Sequence, residues 1–404
     1  MLCGCGARAA LGRQGRAANA RRGAQALAVC RNVIVEMSCD TLMPICSSLV
    51  RFCALKMAPN AQIRAPTPSG SELEHFTKRA DFKWIDTDEP HAIRREMILA
   101  KYPQIKKLYG YDPDQKWQTL AYIFIQMFIA WYLRESEWRT LLLVAYGVGG
   151  LINHALSLAI HELSHGMMFE GGLPNELFGF LCNVPQGIPS FIMFKKYHNE
   201  HHLYQGVDPI DVDVPSTWEG DHMKSKFRKL LFVLMQPFTY SIRPMLLQPK
   251  PVGYMEIANF VFIILTNALV WHFWGARSVA YMVGSTLIGM SLHPVSGHLI
   301  AEHFEYTSGQ ETYSYYGPLN ALVYNVGYHN EHHDFPKVPG SRLPQVRAIA
   351  SEFYDTMPHY NSWWDVLIKF ITRDDVGCYS RIMRKPETSK LWHYEQQLQK
   401  AKAA

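Results

Sequence analysis

The sequence predicts an all-α integral membrane protein, with four transmembrane helices arranged as two hairpins beneath a cytosolic helical cap. Three observations predict it. Apolar residues concentrate in four stretches, 117–133, 139–160, 256–275 and 277–300, each near the length needed to cross a hydrocarbon core of ~30 Å. Only the charged knot Arg134 to Arg139 separates the first two, and only Gly275-Ala276-Arg277 the last two, so each pair folds back on itself. Eight of the eighteen histidines fall in three short clusters: His161 and His165; His198, His201 and His202; His329, His332 and His333. Imidazoles this crowded would repel one another if charged, so they read as neutral metal ligands, too many for one ion and about right for two. The cap is therefore expected to hold a histidine-rich di-metal site.

Composition narrows the class. A net charge of +5 on 404 residues, with no basic face interleaved with aromatics, excludes a nucleic-acid partner. Six of the eight cysteines fall in the first 53 residues, leaving Cys182 and Cys378 in the body. That is neither a disulfide framework nor a Cys-rich metal site, and it suits a reducing compartment.

In chain order, residues 1–65 are rich in Ala, Arg and Cys, with Glu36 and Asp40 the only acids, as in a transit-like or disordered extension. The stretch also fits translation from an upstream start, since Met37, Met43 and Met57 follow. A charged, aromatic lead-in, 66–116, is expected to be cytosolic and to pack on the body, with the lone His91 structural. The first pair of spans then runs into His161. Pro174, Pro185, Gly187 and Pro189 break the apolar stretch 172–194, which reads as interfacial or re-entrant. The stretch 227–248 is apolar but carries Pro237 and Pro244, so it reads as a helix lying on the membrane surface. The second pair of spans follows, and a charged tail, 385–404, closes the chain. Lys and Arg are dense before the first span, between the second and third, and after the fourth, which makes both termini and the central loop cytosolic. All three histidine clusters then share one face of the membrane.

His161 and His165 are four apart and share a helix face; so are the first and last histidines of each H-x-x-H-H group. A ninth ligand is expected from His303, because Glu302 beside it repeats the carboxylate-next-to-histidine pattern of the clusters, leaving His298 among the outer partners. Glu162, Glu200, Glu331 and Asp334 adjoin cluster histidines, where a carboxylate can accept the free ring N–H of a ligand. His154 and His293 read as structural or as outer partners. His161-Glu162-Leu163-Ser164-His165 is also H-E-x-x-H, the zinc metalloprotease signature with Glu162 as general base, but that reading leaves two H-x-x-H-H groups unemployed. A metal transporter would place its ligands at the bilayer midplane, not at the cytosolic ends of the spans. An all-nitrogen two-metal site beside a membrane suits iron and dioxygen, used to take hydrogen from an unactivated C–H bond of a lipid chain.

These boxes resemble the membrane fatty-acid desaturase and hydroxylase superfamily. From Asp81 to Arg384 the chain resembles the sphingolipid delta-4 desaturases (dihydroceramide desaturases) in particular. The matches include Thr87-Asp88-Glu89-Pro90-His91, Asn153-His154, Phe194-Lys195-Lys196-Tyr197-His198, Asp211-Val212-Asp213-Val214-Pro215 and Glu311-Thr312-Tyr313-Ser314-Tyr315-Tyr316. The resemblance implies a membrane desaturase domain over 117–384 in the endoplasmic reticulum membrane, with its active site cytosolic. It implies two iron ions held by His161, His165, His198, His201, His202, His329, His332 and His333, with His303 as the ninth ligand. The implied reaction places a trans double bond between C4 and C5 of dihydroceramide, using dioxygen and electrons from NADH through cytochrome b5 and its reductase. The chain lacks a haem-binding His-Pro-Gly-Gly motif, so the cytochrome would be a separate partner. Some members hydroxylate C4 instead, giving phytoceramide, and a bifunctional enzyme is the alternative reading. The C-terminal Lys400-Ala401-Lys402-Ala403-Ala404 resembles a dilysine retrieval signal.

Overall fold

Glu89 starts the first helix, α1 (Pro90–Lys101): its carboxylate accepts the Ala92 N–H at 3.1 Å, and Pro90 fills the first helical position, where a missing N–H is no loss. This is a computed structural model describing residues 81–403, with side chains through residue 397. The expected extension over 1–65 and the side chains of the dilysine-type motif lie outside the described residues. The next helices are α2 (Gln115–Tyr132), α3 (Trp138–Ser164), α4 (Gly172–Gln186), α5 (Phe191–Leu203), α6 (Lys226–Leu247), α7 (Tyr254–Trp274) and α8 (Ala276–Gly289). Shorter ones follow: α9 (Gly297–Ala301), α10 (His329–Asp334), α11 (Leu343–Ile349), α12 (Trp363–Thr372) and α13 (Lys390–Ala403). Two parallel strand pairs tie distant segments together. β1 (Lys83–Trp84) pairs with β4 (Ile382–Met383), and β2 (Ser314–Tyr315) pairs with β3 (His359–Tyr360).

Among the described residues, α3, α6 and α7 are long and apolar enough to cross a membrane, and the bent pair α4 and α5 makes a fourth candidate. Two of these, α3 and α7, coincide with expected spans. The third, α6, was expected as a helix on the surface; it is one continuous helix through Pro237 and Pro244, with the length and composition to cross as well. A proline removes one helical hydrogen bond and bends the helix, but packing on either side carries the turn through. The other two expected spans form helices that fall short. Lys116, Gln118 and Gln126 dilute the 18 residues of α2, and α8 stops at Gly289 after 14 residues, where the chain turns toward His298. The broken stretch 172–194 becomes the 115° bend between α4 and α5. The protein itself covers only 17% of the most apolar window of α7, so Phe260, Leu265, Leu269 and Phe273 face outward, as lipid contact requires.

Polar side chains lock these helices from inside. Gln126 of α2 donates to Asn153 Oδ1 at 2.6 Å, and Tyr281 of α8 donates to Gln126 Oε1 at 2.6 Å. Asn153 Nδ2 in turn reaches the carbonyls of Pro185 and Met282 at 3.1 and 3.0 Å, joining α3 to α4 and α8. Below this hub α3 loosens into a π-turn, Ala145–Gly149. There the backbones of α3 and α8 touch: a Cβ on Gly289 would lie 2.4 Å from the Gly150 carbonyl oxygen. Gly289→Ala is therefore expected to lower the thermal stability of the detergent-solubilised protein by about 1–3 kcal/mol through overpacking. Gly284→Ala, in open space on the same helix, should be neutral or stabilising. Equal melting temperatures for the two variants would contradict this crossing.

Candidate metal centre

Helix geometry decides which way each cluster points. At 100° per residue, positions i and i+4 lie ~40° apart on a helix, while i+3 falls ~60° to the other side. An H-x-x-H-H group therefore aims its outer pair one way and its middle histidine another. In α5 the outer pair His198 and His202 joins His161, His165 and His332 in one group whose ligand atoms lie within 4.8 Å of one another, while the middle His201 turns to a second. In α10 the roles reverse: the outer pair faces the second group and the middle His332 faces the first. The second group holds His201, His303 and His333 within the same limit, and His329 joins it through Nε2, 2.9 Å from His303 Nε2. All nine expected ligands thus converge, five and four, and the stacked rings of His202 and His333 (4.1 Å) bridge the groups.

The nitrogens of the first group sit at 2.9 Å (His165 to His198), 3.1 Å (His198 to His202) and 3.1 Å (His202 to His332), all between Nε2 atoms. These three contacts cannot all be hydrogen bonds, because each neutral ring offers at Nε2 either a proton or a lone pair. A cation between them removes the conflict. Ligand nitrogens ~2.1 Å from a metal and 90–109° apart lie ~3.0–3.4 Å from each other, close to the spacing here. His333 Nε2 is buried with no protein partner, as a lone pair reserved for an ion would be. Burial, reinforced by neighbouring imidazoles, holds His303, His329, His332 and His333 well below the ordinary histidine value, so they are neutral donors.

The partners behind these rings come from elsewhere in the chain. His201 Nδ1 meets Asp211 Oδ1 at 3.0 Å, the carboxylate–histidine arrangement that fixes tautomer and ring orientation. His303 Nδ1 meets the Glu311 carbonyl at 3.2 Å. Glu302 Oε1 lies 3.4 Å from His329 Nδ1 and 3.5 Å from His298 Nε2, while His298 Nδ1 meets His154 at 2.8 Å. The expected outer partner His298 thus lies near Glu302, as His329 does, without a hydrogen bond from either ring to that carboxylate.

The carboxylates next to cluster histidines do something else. Glu162 accepts the backbone N–H of Gly340 at 2.9 Å and Gln115 at 3.2 Å, with His161 Nδ1 at 3.8 Å, beyond hydrogen-bonding range. Glu200 pairs with Lys250. Glu331 accepts from Ser314 and Tyr316, both at 2.7 Å. Asp334 binds Arg94 Nε at 2.6 Å, His91 Nδ1 at 2.7 Å and Tyr354 at 2.9 Å. The structure thus differs from the expectation that these four would hold ligand N–H groups. Adjacent residues on a helix point ~100° apart, so a carboxylate beside an inward histidine faces the scaffold. Burial alone would raise Asp334, but Arg94 and His91 outweigh it and hold the carboxyl below its ordinary value. Glu162, so engaged, is not free to act as the base of an H-E-x-x-H protease. The approach to α10 is close-packed as well: a Cβ on Gly327 would lie 2.6 Å from the Tyr315 carbonyl.

Beside the histidines lies a largely apolar cavity. Leu158, Ile188, Phe194, Pro237 and Leu287 line it, together with His161, His198, His201, His303 and His329. Comparison with known proteins gives this arrangement its family. Residues 78–114 match the family Sphingolipid Delta4-desaturase (DES), and residues 136–364 match the family Fatty acid desaturase. The sphingolipid delta(4)-desaturase DES1 of Drosophila melanogaster is 50% identical over 309 residues, 76% of this chain and 96% of its own. The chain belongs to the sphingolipid Delta4-desaturase family. DES1 of Homo sapiens is 47% identical over 308 residues, covering 76% of this chain and 95% of its own. The sphingolipid delta(4)-desaturase/C4-monooxygenase DES2 of Rattus norvegicus is 47% identical over 314 residues, 77% and 97% of the two chains.

Asp211 is the partner that the sequence pattern did not single out for this role, and it defines a test. Asp211→Asn keeps the shape but removes the charge behind His201, and should weaken metal retention roughly 10- to 100-fold in a chelator titration. Wild-type retention would remove Asp211 from the centre.

Proposed function

We propose that this desaturase converts dihydroceramide to ceramide by dehydrogenating C4–C5 at a di-iron centre. Convergence of nine imidazoles, five and four, beside an apolar cavity that His161, His198, His201, His303 and His329 help to line carries the reading. His161, His165, His198, His202 and His332 would hold one iron, and His201, His303, His329 and His333 the other. Bound there, iron supplies the dioxygen activation that removal of hydrogen from an unactivated C–H bond demands. The protein's part is positional. Buried neutral rings hold the ions, Asp211 orients His201, Glu302 lies beside His329, and the cavity shelters an alkyl chain from water.

Dioxygen leaves two electrons to be supplied, and NADH provides them through cytochrome b5 reductase and a separate cytochrome b5. The enzyme is multi-pass in the endoplasmic reticulum membrane, with active site and termini cytosolic. Its membrane domain spans 117–384, with α3, α6, α7 and the bent α4–α5 pair as its candidate spans. The bifunctional name of the rat relative favours a second product, phytoceramide, from the same cavity by C4 hydroxylation.

Expression in cells lacking the endogenous activity, followed by mass spectrometry of sphingoid bases, tests the reading. Ceramide is the expected product; phytoceramide alone would transfer the enzyme to the hydroxylases, and neither product would end the proposal. His198→Ala and His329→Ala are each expected to abolish turnover and lower bound iron while the helices stay folded by circular dichroism. Activity surviving in either variant would refute that residue's role as a ligand.

A further inference from the structure

The cavity wall is interrupted by one carboxylate that the metal site does not use. Asp213 lines the cavity together with His201, His303 and His329. Behind it, Arg381 Nη2 donates to Asp213 Oδ2 at 2.8 Å; the Arg381 side chain keeps 4% exposure and that of Asp213 keeps 19%. The cation is sealed and the carboxylate is the open member of the pair. Its backbone is fixed too, since Arg381 Nη1 and Arg243 Nη1 each reach the Asp213 carbonyl at 3.3 Å. Arg243 is itself anchored on Glu219 at 2.7 Å. Tyr240, on α6 and on the same cavity wall, lies close enough to Asp213 to interact with its charge. A purely structural ion pair would bury both partners; here the acceptor faces the space where substrate lies.

A saturated chain presents a run of near-identical methylenes, and an apolar pocket distinguishes one methylene more or less by only ~1–3 kcal/mol. Choosing one C–C bond therefore needs a polar anchor at fixed distance from the oxidising centre. A carboxylate held ionised by arginine is a strong acceptor for a hydroxyl, and with one oxygen engaged it keeps free lone pairs. We propose that Asp213 and Tyr240 seat the hydroxyl-bearing head of the lipid, an N-acylated 2-amino-1,3-diol, and so set which carbons meet the histidines. Arg381 acts through Asp213 as a positioning residue. This proposal rests on the desaturase reading above.

The test uses the full-length enzyme in membranes of cells lacking the activity, with three saturated substrates: the N-acylated aminodiol and analogues lacking its 1-hydroxyl or its 3-hydroxyl. Wild-type enzyme is expected to process at least one analogue roughly 10- to 100-fold less efficiently in kcat/KM, the effect of a lost hydrogen bond to a charged group. Asp213→Asn should raise KM for the parent, shrink that discrimination toward unity and spread the double bond to neighbouring positions. Tyr240→Phe, which leaves the Asp213–Arg381 pair intact, should do the same in weaker form, and it decides the matter if Asp213→Asn fails to fold. Wild-type discrimination and a single double-bond position in the folded variants would overturn the seat, as would a wild-type enzyme indifferent to both hydroxyls. A wild type that desaturates none of the three substrates would sink the desaturase reading itself and this inference with it.

Discussion

Nine imidazoles packed into two touching groups repel one another when charged. Burial holds His303, His329, His332 and His333 neutral, while at His201 Asp211 outweighs burial and raises the ring above its ordinary value. Lone pairs of neutral rings brought to about 3 Å still repel, so the groups need a cation at each centre as much as a cation needs them. The rest of the fold supports this convergence. A hub of buried amides and hydroxyls fixes α3, which delivers His161 and His165. The bend between α4 and α5 returns the chain so that α5 faces the end of α3. The short α10 is held in place by a buried ion pair, Arg94 with Asp334, across 240 positions of sequence. Removing one partner of so buried a pair would leave the other charge unsatisfied, which is why the lead-in helix α1 is integral to the site.

Two sets of carboxylates surround the histidines, one turned to the scaffold and one turned to the ligand rings. Those adjacent in sequence to the ligands, Glu162, Glu331 and Asp334, turn outward and hold loops and α1. Those close to ligand rings are Asp211, ten residues beyond His201, and Glu302, which precedes His303 in the chain but lies beside His329. The division follows from helix geometry. On a short helix whose inner face carries imidazoles, the neighbouring position has no access to the metal side and is available to tie that helix to its surroundings.

This explains what could be read from the residues alone. The convergence of the histidine boxes was legible because each sets a rare residue type at a fixed helical spacing, and spacing is a property of sequence; His303 was marked out by Glu302 beside it. The apolar spans α3 and α7 were legible for the same reason. Their length and composition are local. Three things were not. Pro237 and Pro244 argue locally against a span, yet α6 is one continuous helix with the length and composition of a candidate span. The meeting of His201 with Asp211, and of Arg94 with Asp334, depends on where loops return in space, which no local pattern records. Asp213 stood in the sequence only as part of the match from Asp211 to Pro215, and the sealed Arg381 behind it is what distinguishes it.

The claim that everything else depends on is a pair of ions, each held by imidazole nitrogen. X-ray absorption at the iron edge of the purified wild-type protein, combined with metal counting, addresses it most directly. The account predicts two irons per chain, with an inner coordination dominated by nitrogen at about 2.1 Å and outer scattering typical of imidazole rings. A single ion per chain, zinc in place of iron, or a sulfur-rich inner shell would contradict it.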